Sequence, residues 1–114
     1  MPYLKIQTNQ NLPVDSARQL AKKASALVAR QLGKPESYVM TSVENSPAMT
    51  FAGTDEPLAF LELKSIGLPE SLTADTSRAL CELVSTEAAI DSARIYIEFS
   101  DAARKMWGWD KGTF

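Results

Sequence analysis

Histidine is missing from the chain altogether, and with it go the Ser-His-Asp triad, the Cys-His pair and the usual histidine-containing metal sites. Acid-base chemistry near neutral pH is left to a shifted carboxylate, a lysine, a tyrosine or the α-amino group. Cysteine is nearly as scarce. The one thiol, Cys81, has no partner for an internal disulfide and falls inside a helical pattern, where it reads as a small buried hydrophobe. Long apolar runs are also lacking: the longest, Pro57 to Leu61, is far short of the roughly 20 residues of a membrane helix. No basic segment followed by an apolar one opens the chain. The formal charge of -2 gives no electrostatic reason to bind nucleic acid or an anionic membrane. These absences lead to the expectation of a cytoplasmic protein with neither kind of partner.

What is present fits one domain over residues 1–114, with 45% apolar residues to fill its core. From Pro2 to Thr8, Leu4 and Ile6 fall on one face and Lys5 and Gln7 on the other, the period of a half-buried strand. Apolar residues then recur at Ala17, Leu20, Ala21, Ala24, Leu27 and Val28, predicting an amphipathic helix over about 15–32, with Asp15 as N-cap, Gly33 as stop and Pro35 beyond. Val39, Thr41 and Val43 alternate as a second strand, and Met49 to Ala52 add a short one before the turn residues Gly53-Thr54-Asp55.

The pattern then starts over. Leu58 to Ile66 reads as a largely buried strand ending at Gly67, about 71–89 as a second helix with apolar Leu72, Leu80, Leu83 and Val84, and Ile95, Ile97 and Phe99 as a last strand. A shift of 56 positions lays Leu27-Val28 on Leu83-Val84, and Val39, Thr41 and Val43 on Ile95, Ile97 and Phe99. The expected fold is α+β: two β-α-β units forming a four-stranded mixed sheet with both helices on one face, the other face being left for a second copy of the chain. The tail from Met106 to Phe114 carries three large aromatics in a segment too short to bury them itself, so they either fold back on their own subunit or line a pocket or a contact with a neighbouring subunit.

Pro2 is the candidate catalytic residue. A small second residue normally permits excision of the initiator methionine, which would leave Pro2 as a secondary amine at the head of the first strand. Burial or a neighbouring cation favours the neutral form of an amine, and a neutral amine is a base. The ring holds that nitrogen rigidly. Alone, Met-Pro is a common start and says little.

Pro2 heading an alternating strand, Gly33-Lys34-Pro35 followed by Tyr38, Ser65-Ile66-Gly67, Arg94-Ile95-Tyr96-Ile97, Gly108-Trp109 and terminal Thr113-Phe114 occur in order over nearly the whole chain. Together they resemble the macrophage migration inhibitory factor family of tautomerases. The resemblance implies a homotrimer of β-α-β-β-α-β subunits around a central channel, with three active sites at subunit interfaces. It implies keto-enol tautomerisation of phenylpyruvate-type α-keto acids, and often dopachrome isomerisation, with Pro2 moving the proton and no cofactor or metal. By the same resemblance Lys34 binds the substrate carboxylate, and Ser65-Ile66 sits at the substrate with the Ile66 amide as a further donor. Tyr96 enters from the neighbouring subunit, and Tyr38, Met106, Trp109 and Phe114 shape an aromatic pocket. Without the family, Lys34 is a surface lysine after a helix stop.

The chain departs from the family pattern in places. Glu98 stands where vertebrate members typically carry asparagine, adding negative charge if it faces an anionic substrate. Lys64 stands where histidine is frequent and could pair with Glu98. Leu58 and Leu61 replace the Cys-x-x-Cys of some relatives, which removes thiol-disulfide chemistry. Because animal relatives act as cytokines, the alternative to an enzyme is a cytokine-like protein-binding signal, with receptor contact independent of catalysis.

Overall fold

Strand β1, Tyr3–Thr8, forms as its alternation requires: Leu4, Ile6 and Thr8 are buried while Tyr3, Lys5 and Gln7 face outward. The computed structural model describes all residues, 1–114. Helix α1, Val14–Leu32, turns Leu20, Ala24, Leu27 and Val28 onto the sheet, the 3.6-residue stripe of a core-facing helix. Strand β2 is Met40–Asn45, β3 Ala59–Ile66, helix α2 Thr73–Ala88 and strand β4 Ile95–Ala102. A tail hairpin of β5, Gly108–Trp109, and β6, Gly112–Thr113, closes the chain.

The main sheet runs β2-β1-β3-β4, parallel within each β-α-β unit and antiparallel where β1 meets β3. Leu4, Ile6, Leu61 and Leu63 share one buried cluster with Leu20 and Val28 of α1 and Leu80 and Val84 of α2. Both helices therefore cover the same face. Burying these side chains supplies about 1.5–3 kcal/mol each, which is why the alternation in β1 and β3 fixes the register so firmly. The 56-residue offset holds in detail: Tyr3 maps onto Ala59 at the head of β3, and the 3-10 turn Glu36–Tyr38 onto the 3-10 turn Ser92–Arg94. Gly33 (φ 62°) maps onto Ala89 (φ 53°), each ending its helix in the left-handed region.

The opposite face carries Lys5, Glu62, Lys64 and Glu98, and no helix covers it. Its ion pairs join Lys5 to Glu44 at 3.5 Å and Lys64 to Glu62 at 4.0 Å. Lys64 is thus engaged within its own strand rather than with Glu98.

Three local expectations need correction. Helix α1 starts at Val14 with Pro13 in the N-cap position, and Asp15 lies in the first turn, where its charge meets the helix dipole without a capping bond. Residues 49–52 form no strand: Phe51 pairs only with Thr54 across a tight turn whose central residues Ala52 and Gly53 both have positive φ. Cys81 is half-buried against the edge of the core, and its thiol pKa is raised, by burial first, with a Ser77 hydrogen bond opposing.

Candidate active site

At the amino-terminal end of β1, charge, an apolar cleft and buried backbone converge. Pro2 is almost wholly buried, and its carbonyl accepts from the Met40 amide at 2.9 Å, carrying the β1–β2 pairing one residue past Tyr3. A proline there costs the sheet little, because the first residue of a strand need not donate. Pro2 and Met1 sit in a cleft of about 260 Å³ walled by Tyr38, Met40, Trp107, Trp109 and Phe114.

Each wall has a local cause. Tyr38 ends the 3-10 turn that follows Pro35, and its ring is left partly exposed. Trp109 and Phe114 stack at 5.4 Å between centroids and 14° between planes. The tail hairpin brings them together through a turn in which Asp110 and Lys111 both take positive φ, the geometry that matches the twist of a two-residue hairpin. The hairpin thus sets Trp107, Trp109 and Phe114 against the Pro2 cleft, with Trp109 still well exposed.

Lys34 follows the left-handed Gly33, and its amide donates to the Ala29 carbonyl. Its ammonium donates to the Ile66 carbonyl at 2.6 Å, and the Ser65 hydroxyl donates to the same oxygen at 3.2 Å. Ser65 is fully buried. By the β1–β3 register, in which Tyr3 faces Lys64, Ser65 and Ile66 end β3 alongside Pro2 and Met1. The amino group of Met1 has its pKa lowered from 8.0, by burial first, then by the charges of Lys34 and Arg104. Two cations therefore act on the chain's amino end. Nothing in the sequence distinguishes Arg104 from the adjacent Lys105.

Not every expected residue meets here. Tyr96 lies at the start of β4 opposite Phe60, whereas Pro2 adjoins the level of Lys64 and Ser100. Pro2 itself lies one step further, level with Ser65 and Asp101, and the five residues from Tyr96 to Asp101 put Tyr96 roughly 17 Å away along the strand direction. Glu98, beside Glu62 on the outer face, is also remote from Pro2. Met106 is 81% exposed and outside the walls of the cleft. Within the single chain, Pro2, Lys34, Ser65, Ile66, Tyr38, Trp109 and Phe114 thus gather at this end of the sheet, and Tyr96, Glu98 and Met106 do not. No group of three or more His, Cys, Asp or Glu side chains gathers to hold a metal ion, and no helix is long and apolar enough to cross a membrane.

A match to the family described as macrophage migration inhibitory factor extends over residues 1–114. The chain belongs to that family. It is 40% identical to the macrophage migration inhibitory factor homolog of Brugia malayi, with 100% of this chain and 99% of that one covered. It is 32% identical to the macrophage migration inhibitory factor of Mus musculus, over 93% and 94% of the two chains. The crystal structure of the homologue from Prochlorococcus marinus superposes with a TM-score of 0.93 at 40% identity, covering 98% of each chain. The fold is that of the tautomerase superfamily, and proteins of the macrophage migration inhibitory factor family take small-molecule substrates and typically form oligomers.

Proposed function

We propose that this chain, once Met1 is removed, is a keto-enol tautomerase for phenylpyruvate-type α-keto acids, and for dopachrome, with the Pro2 amine as general base. The observation that carries the reading is the placement of Pro2: nearly buried, on the floor of an aromatic cleft, at an amino terminus whose protonation two cations oppose. Excision of Met1 turns the Pro2 nitrogen from an amide into a secondary amine one residue deeper than the present amino group. Burial and the charges of Lys34 and Arg104 then favour its neutral, basic form. While Met1 is retained that nitrogen has no basicity.

In the reaction the amine takes a proton from the carbon next to the substrate carbonyl. The C–H electrons form the carbon-carbon double bond, the carbonyl π pair moves to oxygen, and that oxygen takes the proton back from the Pro2 ammonium, which completes the enol and restores the neutral amine. Lys34 holds the substrate carboxylate. One of its three donors is spent on Ile66, leaving two free. Tyr38, Trp109 and Phe114 take the phenyl ring. Tyr96, Glu98 and Met106 belong to this site only through a neighbouring protomer, as in a homotrimer with interfacial sites. No cofactor enters the scheme.

The deciding experiment is the ultraviolet absorbance of phenylpyruvate enol, followed with protein shown by intact mass to lack Met1. Turnover above buffer that is lost in Pro2→Gly is the expected result; no turnover, or full turnover in Pro2→Gly, overturns the reading. A second reading, a cytokine-like protein-binding signal, is favoured by the 40% identity to a protein named for an action on macrophages. Receptor capture unaffected by Pro2→Gly, with no turnover on any keto acid, supports it.

A further inference from the structure

Arg94, like Lys34, is committed to backbone carbonyls rather than to carboxylates. The Arg94 guanidinium donates through Nε to the Pro57 carbonyl at 2.9 Å, through Nη1 to Phe51 at 3.2 Å, and through Nη2 to Thr54 at 3.3 Å and Glu56 at 3.1 Å. These four carbonyls belong to the connection between β2 and β3, which has no ladder of its own beyond the paired Phe51 and Thr54. The guanidinium carbon also lies 5.2 Å from the Phe51 ring centroid, and that ring packs against Tyr96 at 4.7 Å and 50°. Tyr96 is otherwise 65% exposed on the edge strand β4. A planar guanidinium with five donors can satisfy several carbonyls and a ring face together; an ammonium with three donors cannot.

We propose that Arg94 is a positioning residue for the tautomerase reaction: by clamping the 51–57 segment it fixes Phe51, and Phe51 sets the angle at which Tyr96 is offered to the site of a neighbouring protomer. The inference rests on the reading of Tyr96 as a wall of that site. Arg94 touches no substrate. Its effect falls on binding of the substrate ring, not on proton transfer at Pro2.

Asn9 provides an internal control, because its side chain holds the same segment from the other side. It donates to the Asp55 and Glu56 carbonyls and accepts from the Leu58 amide, and it makes no hydrogen bond to Phe51. Arg94→Gln and Phe51→Leu each raise KM for phenylpyruvate about three- to tenfold with kcat little changed, the worth of an aligned aromatic pair. KM for a short aliphatic α-keto acid stays put, and Asn9→Ala leaves the aromatic preference intact. In a Tyr96→Ala background, Arg94→Gln adds nothing further.

A second measurement needs no turnover. Of the chain's three tyrosines, labelled with 3-fluorotyrosine, only Tyr96 shifts its fluorine resonance in Arg94→Gln. If Arg94→Gln does not fold, Phe51→Leu carries both measurements. Equal KM rises for aromatic and aliphatic acids, additivity with Tyr96→Ala, or an unmoved Tyr96 resonance each overturn the relay. A moved resonance together with an unchanged KM in Tyr96→Ala places the failure in the reading of Tyr96 as a site wall, and the proposal falls with it.

Discussion

Lys34 Nζ donates to the Ile66 carbonyl at 2.6 Å, tying the residue just past the Gly33 cap of helix α1 to the last residue of β3. This bond holds the ammonium beside the chain's amino end instead of in solvent. A lysine so held loses less side-chain freedom when it takes an anion, since much of its ordering accompanies folding.

Lys34→Ala should therefore raise KM for phenylpyruvate by about ten- to a hundredfold, the worth of a charge-assisted hydrogen bond. It should also unsettle the α1–β3 junction, although the Ser65 hydroxyl still donates to the Ile66 carbonyl. Steady-state kinetics checks this in protein whose unfolding midpoint has been measured. A KM within twofold of wild type removes Lys34 from the site, about half a kcal/mol being too little for such a contact.

The pH profile follows from the same cluster. The amino terminus is held below its ordinary 8.0, first by burial and then by Lys34 and Arg104. In Met1-free protein the neutral amine is the base, so kcat/KM falls as pH drops through the amine's folded pKa and levels off above it. Arg104→Ala removes one opposing cation, raises that pKa and moves the limb to higher pH, an effect that added salt weakens. For stability the sign is the same. Between the lowered folded value and the unfolded value the unfolded chain binds more protons, so stability is full above the unfolded pKa and is lost as pH falls through the folded one. A limb that Arg104→Ala leaves unmoved excludes it from the electrostatics of the site.

The sheet was readable because Leu4, Ile6, Leu61 and Leu63 alternate with polar residues, and each is fully buried. The paired units were readable because the 56-residue offset lays Leu27-Val28 of one helix on Leu83-Val84 of the other, and Val39, Thr41 and Val43 on Ile95, Ile97 and Phe99. Less legible was whatever depends on backbone with positive φ outside glycine: Ala52 in the 51–54 turn and Asp110-Lys111 in the tail hairpin carry no strong compositional signal. The site divides in the same way. Pro2, Lys34 and the tail aromatics can be found from local patterns and family resemblance. The separation of Tyr96 from Pro2 comes from the antiparallel β1–β3 register, which no local pattern encodes. Arg94 read as part of a strand motif, while its role as a clamp emerges only when four carbonyls from a distant segment surround it.

The offset also exposes an unequal pair of helix ends. Gly33 closes α1 at φ 62°, but its counterpart closing α2 is the exposed Ala89 at φ 53°. A side chain in that region costs about 1–2 kcal/mol, and glycine returns roughly half of this as unfolded-state entropy. Ala89→Gly is expected to stabilise the fold by about 0.5–1 kcal/mol. Urea denaturation with an unchanged slope checks it, and a lower midpoint sinks the claim.

Two buried threonines give the same substitution opposite signs. The Thr8 hydroxyl donates to the Leu58 carbonyl at 2.7 Å and accepts from the Gln10 amide at 3.1 Å, fastening the end of β1 to the start of β3. The Thr76 hydroxyl, equally buried in α2, has no partner. Valine nearly matches threonine in shape, so the exchange tests the hydroxyl rather than the packing. Thr8→Val loses two hydrogen bonds and should cost about 1–3 kcal/mol. Thr76→Val relieves an unpaired polar group and should gain about 1 kcal/mol, offset in part by the stiffer branch in a helix. Chemical denaturation of both variants beside wild type decides the matter. If Thr76→Val is the more damaging of the two, the Thr76 hydroxyl has a partner in solution, and an ordered water in the core beneath α2 is where to look for it.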